Sequence, residues 1–494
     1  MLPTLIEIID TSIVNVSLDH IRGSLSAGID EATWAITAYL VSNAVVIPMT
    51  GWLSRLLGRK RYLILSIALF TTSSFLCGSA WSLQSLILFR IVQGVGGGGL
   101  QPLSQSILLE AFPPVQHGMA MAIFGMGVMF GPIVGPLMGG WITDNWSWRW
   151  IFYVNVPVGI VSVLLVGLFI SDPPYMKRVR MKIDAWGLAL LTVGLGALQF
   201  VLDKGQREDW FSSRLILGFA VTSAVCLALF ALVELSSENP IVDLRLFRDR
   251  TFATGDVVMF FTFFNLFGSI VLLPIYLQSL MGYTSFLAGL VLGPGGFATM
   301  AAMPVAGRLI QKMSPKRILF VGMLVCSLAT YRMSRFTLEA DFWTLVWPRV
   351  LLGVGMGFLF IPLTTMTLSH MRKEKMTEAA SLYNLLRNIG GSVGVAFATT
   401  TLARRAQFHQ ARLSEHVTAF SPAVQLARQK LEAVLSLHGP GPAVDAALYR
   451  ELLRQASMLA FNDAFLVLSL LMASTVPLVL LMKRGGGKVA AGAH

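Results

Sequence analysis

The sequence predicts an all-α protein that crosses a membrane many times. Three observations carry that prediction. Charged residues make up 13% of the 494, about half of what a water-facing surface carries. Hydrophobic residues make up 55%, and the mean hydropathy is +0.68. Apolar blocks recur from end to end, each long enough to cross about 30 Å of hydrocarbon as a helix. Inside lipid every backbone N–H and C=O needs an internal partner, so helices are the spanning form these blocks predict.

Fourteen spans are predicted, over residues 1–19, 32–54, 62–80, 83–110, 117–142, 149–171, 185–203, 214–235, 251–280, 284–312, 317–335, 342–370, 377–403 and 459–482. The even connections and the tail hold 21 cations, from Arg55, Arg59, Lys60 and Arg61 through to Lys483, Arg484 and Lys488. The short odd connections hold seven: Arg22, Arg149, Lys204, Arg207, Arg214, Arg332 and Arg335. The cation-rich side is the cytoplasmic one, which puts both termini there. The net charge of +12 is therefore read as topology and not as a nucleic-acid surface. Cys77, Cys226 and Cys326 all lie in apolar blocks, so no disulfide framework is expected. Span 1 is short and has no preceding cation, and the native start is expected upstream of Met1.

The chain also repeats itself. Pro48-x-x-Gly51-x-Leu53 followed by Lys60-Arg61-x-Leu63 returns as Pro304-x-x-Gly307-x-Leu309 followed by Lys316-Arg317-x-Leu319. Arg90-x-x-x-Gly94-Val95-Gly96-x-Gly98 returns as Arg349-x-x-x-Gly353-Val354-Gly355-x-Gly357. The offset carries span 2 onto span 10 and span 4 onto span 12, so the two halves share one orientation. Parallel repeats of this kind belong to transporters that bind substrate between rocking halves. The expected organisation is a six-helix half (1–171), two inserted helices with linkers (172–250), a second six-helix half (251–482) containing an outward loop (404–457), and a glycine-rich cytoplasmic tail (483–494).

Four segments resemble a known family. Gly51-Trp-Leu-Ser-Arg-Leu-Leu-Gly58-Arg59-Lys60 resembles the loop signature of the major facilitator superfamily. Gly127-x3-Gly131-Pro132-x2-Gly135-Pro136-x2-Gly139-Gly140 resembles its antiporter motif in span 5. Asp10-Thr-Ser-Ile-Val-Asn15-Val and Trp148-Arg-Trp-Ile-Phe-Tyr-Val-Asn155-Val-Pro are similar to signatures of its fourteen-span drug:proton antiporters. The resemblance implies the major facilitator fold with 14 transmembrane helices, antiport driven by the proton gradient with no cofactor, and a bacterial inner-membrane location. It also implies a periplasmic adaptor and an outer-membrane channel as partners. One departure stands out: where the family loop has an acid, this chain has Ser54 and Arg55, and Glu110 is the nearest stand-in.

Candidate residues follow from depth and chemistry. Asp10 and Arg90 lie at a common depth of roughly 12–14 Å below the outer surface and are expected to pair. The pair reads as a proton site tuned by Arg90, or as a fixed bond between two spans. Glu7, one turn below Asp10, is a second candidate for proton coupling. Asp256 and Glu234, near cytoplasmic span ends, are expected at the water interface. Asn15, Phe124, Met126, Phe130, Phe261, Phe264, Asn265, Tyr383, Asn384 and Arg387 are the candidate substrate contacts, because Met and flat rings adapt to bulky, varied apolar ligands. Gly51, Gly58, Arg59, Gly131, Pro132, Gly135 and Pro136 are the candidate gating positions, with the span 5 glycines read either as helix packing or as a sliding face between halves.

Enzyme readings are set aside. Gly94-x-Gly96-x-x-Gly99 and Gly390-x-Ser392-x-Gly394 match nucleotide and nucleophile motifs but lie inside spans, where the strand those motifs need cannot form. No Walker A sequence exists to take energy from ATP. Residues 423–437 and 443–456 are expected as two short amphipathic helices that dock an adaptor or cover the outer mouth. The function predicted is proton-coupled export of hydrophobic toxic small molecules. A dedicated exporter of one natural product or lipid, and a non-transporting membrane scaffold, are the alternatives.

Overall fold

The computed structural model describes residues 1–173, 184–368, 371–418, 421–435 and 442–482. The glycine-rich tail, most of the linker before span 7 and the Gly-Pro linker of the outer loop lie outside these residues. No strand occurs among the described residues. The long helices are α1 (Leu2–Ser24), α2 (Trp34–Leu57), α3 (Arg59–Gly78), α4 (Leu83–Gly97, continued by Leu100–Ala111), α5 (His117–Asn145), α6 (Asn155–Phe169) and α7 (Ala185–Lys204). They continue as α8 (Arg214–Ser236), α9 (Arg250–Ile275), α10 (Ser285–Lys312), α11 (Pro315–Met333), α12 (Phe342–Leu368), α13 (Met376–His416) and α14 (Pro442–Ser474).

Ten of these helices, with their short extensions, are long and apolar enough to cross a membrane. The four that fall short are α1, α4, α11 and α13, for physical reasons. α1 carries Glu7, Asp10, Asp19 and Arg22, and α11 carries Lys316, Arg317 and Arg332. α4 is interrupted at Gly98 and Gly99, and α13 is rich in polar residues along its 41-residue length. α1, α4 and α13 are also the helices that carry the interior polar groups described below.

The outer loop departs from the expected two short helices. Beyond Gly394, α13 runs without Gly or Pro to His416, and the second expected amphipathic helix is continuous with the last span as α14. Arg405 Nε and His409 Nε2 both meet Asp463 Oδ2, at 2.5 and 2.7 Å, clamping the two extensions together. A third helix, Pro422–Leu435, lies against α14.

The repeat seen in sequence is a repeat in space. α1 packs on α5, α2 and α3 on α4, and α3 on α6. Eight helices later, α9 packs on α13, α10 and α11 on α12, and α11 on α14. The repeated glycines set these approaches. A Cβ on Gly94 would lie 2.5 Å from the Tyr39 carbonyl, and one on Gly96 would lie 2.6 Å from the Phe70 nitrogen. Without a hydrophobic drive between helices in lipid, such close backbone approach supplies much of the packing energy. α7 and α8 pair with each other, and α7 leans on α2 and α13. Large apolar residues of α8, including Leu229 and Leu232, remain exposed, as a lipid-facing helix requires.

Gly94→Leu is expected to destabilise the fold by roughly 1–3 kcal/mol through overpacking against α2. A lowered melting temperature of the purified protein in detergent would show it; an unchanged one would mean that the α2–α4 contact can yield.

Candidate functional site

The first cluster forms around Asp10 inside the N-terminal set of helices. α1 buries one face on α5 because Gly131 and Gly135 admit Ile8 and Ser12, and this turns Asp10 towards α4 and α6. Arg90 Nη1 donates to Asp10 Oδ2 at 2.6 Å. Gln93 Nε2 and Asn155 Nδ2 donate to Asp10 Oδ1 at 3.0 and 2.7 Å. Arg90 also donates to the Ala35 carbonyl and to Gln93 Oε1, and its guanidinium lies 4.2 Å from the centre of the Tyr39 ring. The expected Asp10–Arg90 pair is therefore present, and both of its members are buried. Three donors thus satisfy this carboxylate within one half.

Glu7, on the same helix, has different surroundings. It is buried; Asn43 Nδ2 donates to its Oε1 at 3.2 Å, and its Oε2 makes no hydrogen bond among the described residues. Across from it stand residues of both halves. Gln101 of α4 accepts from Arg387 of α13, and Gln105 of α4 accepts from Asn384 Nδ2 of α13 at 2.7 Å. The Arg387 guanidinium lies 5.4 Å from the Phe263 ring centre. The Tyr383 hydroxyl pairs with Thr364 Oγ1 at 2.8 Å. The result is a buried polar seam where α4 of one half meets α13 of the other.

Below this seam the end of the bundle that carries the α2–α3 turn is closed. Gly58, at φ +87°, turns the chain from α2 into α3, a conformation that favours glycine. This presents Arg59, whose two Nη atoms each lie 2.7 Å from a Glu110 carboxylate oxygen, and whose Nη2 also donates to Thr377 of α13. Gly51 leaves room for Glu378 of α13, whose carboxylate meets Arg55 and Lys375, each at 3.1 Å. Lys375 also binds Asp243 at 2.8 Å. Burial works against the Lys375 charge, but Glu378 and Asp243 outweigh it and hold the ammonium above its ordinary range. Glu110 thus takes the part of the acid that the loop lacks.

Other candidates divide. Phe261 and Phe264 stack in an aromatic group with Phe260, while Phe124 is fully buried and belongs to the same core. Met126 is half-buried, and Phe130 and Asn15 are exposed. The Asn265 amide donates to the Leu468 carbonyl and ties α9 to α14. Gly131 and Gly135 face α1 of their own half, and Pro132 points outward from that contact. Pro136 lies half-buried one turn further along α5. The contact between halves instead brings Gly118 against Gly307 and Gly125 against Met303. Asp256 and Glu234 are both buried, where the sequence placed them at the water interface; the 240–243 segment folds over Glu234, with the Val242 N–H donating to its Oε2.

Sequence reasoning missed Gln93, Asn43, Gln101, Gln105 and Glu378. The available signal was an amide or acid inside an apolar block, with Gln93 one turn from Arg90 and Gln101 one turn from Gln105.

The closed face around Glu378 leads to a prediction. Ser106→Cys, in a Cys226→Ser background, should resist a membrane-impermeant maleimide while Glu378 holds Arg55 and Lys375. Adding Glu378→Gln is expected to raise labelling several-fold; unchanged labelling would mean that this network does not hold the face shut.

A family model described as Major Facilitator Superfamily matches residues 2–395. Fatty acid resistance protein FarB of Neisseria gonorrhoeae is 38% identical over 491 residues, covering 98% of this chain and 96% of FarB. Multidrug export protein EmrB of Escherichia coli (strain K12) is 39% identical over 434 residues, covering 88% of this chain and 85% of EmrB. The human organic anion transporter MFSD10 superposes with a TM-score of 0.60 at 14% identity, over 95% of this chain and 97% of that one, a likeness of fold alone. The paired halves, the glycine-rich loop with its Arg59–Glu110 bond and this breadth of sequence identity agree: the chain is an EmrB-like member of the major facilitator superfamily.

Proposed function

We propose that this protein is a proton-coupled exporter of hydrophobic toxic small molecules. The observation that carries the reading is the buried seam in which Glu7, with one carboxylate oxygen free of any hydrogen bond among the described residues, stands beside the Gln101–Arg387 link between halves. A proton arriving at that oxygen neutralises the carboxylate facing Arg387 and loosens the attraction across the seam. Asp10, held by Arg90, Gln93 and Asn155, sets the charge balance of the same helix one turn away. Phe124, Met126, Phe130, Phe261, Phe264, Tyr383 and Asn384 supply rings, a thioether and amide groups for substrates of varied shape. The two six-helix halves, 1–171 and 251–482, rock about this seam, with 172–250 as an insertion between them.

The energy source is the proton gradient, and no cofactor is required. Moving one charge through 100 mV is worth about 2.3 kcal/mol, so one or two protons support substantial accumulation. The relatives named for multidrug export and fatty acid resistance support a broad apolar substrate range. Fourteen spans with both termini in the cytoplasm, a bacterial inner-membrane location, and work with a periplasmic adaptor and an outer-membrane channel complete the reading. The clamped extensions of α13 and α14 with the helix Pro422–Leu435 form the adaptor-facing surface.

Two measurements test it. In proteoliposomes with an imposed pH gradient, Glu7→Gln is expected to abolish gradient-driven uptake of a fluorescent hydrophobic dye while leaving dye counterflow intact. Asp10→Asn strands Arg90 without its carboxylate, a loss of roughly 3–5 kcal/mol for a buried pair, and should lower both uptake and melting temperature. Gradient-driven uptake surviving in Glu7→Gln would place the proton elsewhere. Replacing residues 418–441 with a short linker should end co-purification with the adaptor, and retained co-purification would reject this docking surface.

A further inference from the structure

The two halves repeat each other except around one charge. Arg90 and Arg349 occupy the same register, each seven residues from the outer start of its helix, Leu83 and Phe342. The packing fixes their equivalent neighbours. Gly94 abuts the Tyr39 carbonyl and Gly353 that of Gly295, so Gly295 stands where Tyr39 does. Gly131 and Gly135 meet Ile8 and Ser12, while Gly390 and Gly394 meet Phe260 and Phe264, so Thr262 stands where Asp10 does. Thr71 lies against Gly159 as Ser327 bonds Ser469, which makes Phe465 the counterpart of Asn155. One turn along its own helix, Arg349 has Leu352 in place of Gln93.

The four side chains that hold Arg90, those of Asp10, Gln93, Asn155 and Tyr39, are therefore all changed around Arg349. The Thr262 hydroxyl is engaged by the Val258 carbonyl of its own helix. Arg349 is 9% exposed, and its Nε and Nη1 make no hydrogen bond among the described residues. A guanidinium kept charged in hydrocarbon without a counter-ion is costly, and the same protein shows in Arg90 how that cost is met. A planar fork of N–H donors is best satisfied by a carboxylate or phosphate, bound through two oxygens. The surrounding apolar residues would take the hydrocarbon part of such a molecule.

We propose that Arg349 is a binding site for the anionic group of an amphipathic organic anion, a carboxylate or phosphate joined to an apolar body. It is distinct from the Asp10 and Glu7 cluster. The proposal rests on the transport reading only for the source of the anion, which is either an exported amphiphile or a lipid of the surrounding bilayer.

The test uses the full chain in phosphatidylcholine nanodiscs and radiolabelled dodecanoate as probe. Saturable binding is expected, weakened roughly tenfold or more in Arg349→Gln, in line with the loss of a charge-assisted hydrogen bond, and largely kept in Arg349→Lys. Thr262→Asp restores the carboxylate that Arg90 has, and should block dodecanoate as effectively while raising the melting temperature. Gradient-driven uptake of a cationic dye, measured on the same variants, reports folding and transport separately from anion binding. If dodecanoate competes with phosphatidylglycerol added to the nanodiscs, the bilayer lipid shares the site; if it does not, the anion is a transported one. No saturable binding by the wild type, or binding by Arg349→Gln and Thr262→Asp as strong as the wild type's, overturns the proposal. Loss of dye uptake in the wild type would instead overturn the transport reading and leave the anion site standing.

Discussion

In hydrocarbon an isolated charged side chain costs at least about 2.5–3.5 kcal/mol, and much of this molecule is arranged around that constraint. Asp10 and Arg90 meet it with a bond of 2.6 Å and a shell of Gln93, Asn155, the Ala35 carbonyl and the Tyr39 ring. The shell draws on α1, α2, α4 and α6, so satisfying one charge pair joins four helices of one half. The close glycine contacts serve the same end. They bring α2, α3 and α4 near enough for short polar side chains to reach one another without water.

Between the halves the polar groups are arranged in layers. At the end that carries the α2–α3 turn, full charges face each other: Arg55 and Lys375 on Glu378, and Arg59 on Glu110. Deeper, the cross-links are amides and one arginine, through Gln101, Gln105, Asn384 and Arg387. Amide links can be exchanged for a ligand's hydrogen bonds more cheaply than ion pairs can be broken. The charged layer suits a gate, and the amide layer suits a site that opens and refills in each cycle.

Duplication supplied two copies of one scaffold, and the copies have diverged in what they hold. The helix pairings of α1 to α6 recur in α9 to α14, down to which glycine abuts which carbonyl. Yet Glu7 and Asp10 have no acidic counterpart at the equivalent positions of α9, where Met259 and Thr262 stand instead. Glu7 and Asp10 thus sit on one side of the seam and the Phe260, Phe261 and Phe264 group on the other. α7 and α8 lie outside this repeat, and the Pro240–Asp243 segment that follows them binds Arg55 and Lys375 at the closed face.

Helical membrane class, repeat and family were legible in the residues themselves, because apolar length, cation placement and glycine spacing are one-dimensional signals. So was the Asp10–Arg90 pair, since two opposite charges at one depth have few other ways to be satisfied. The extent of the outer helices was not legible: polar residues without Gly or Pro carry a helix beyond the membrane as readily as they end it. Nor was the burial of Asp256 and Glu234, which depends on what folds over a helix end. Which face of α5 meets which neighbour, and that Glu7 and Asp10 differ in partners although one turn apart, were decided only by the tertiary structure. A helix's sequence specifies which residues share a face, but the rotation of that face among its neighbours is set by packing of all the helices together.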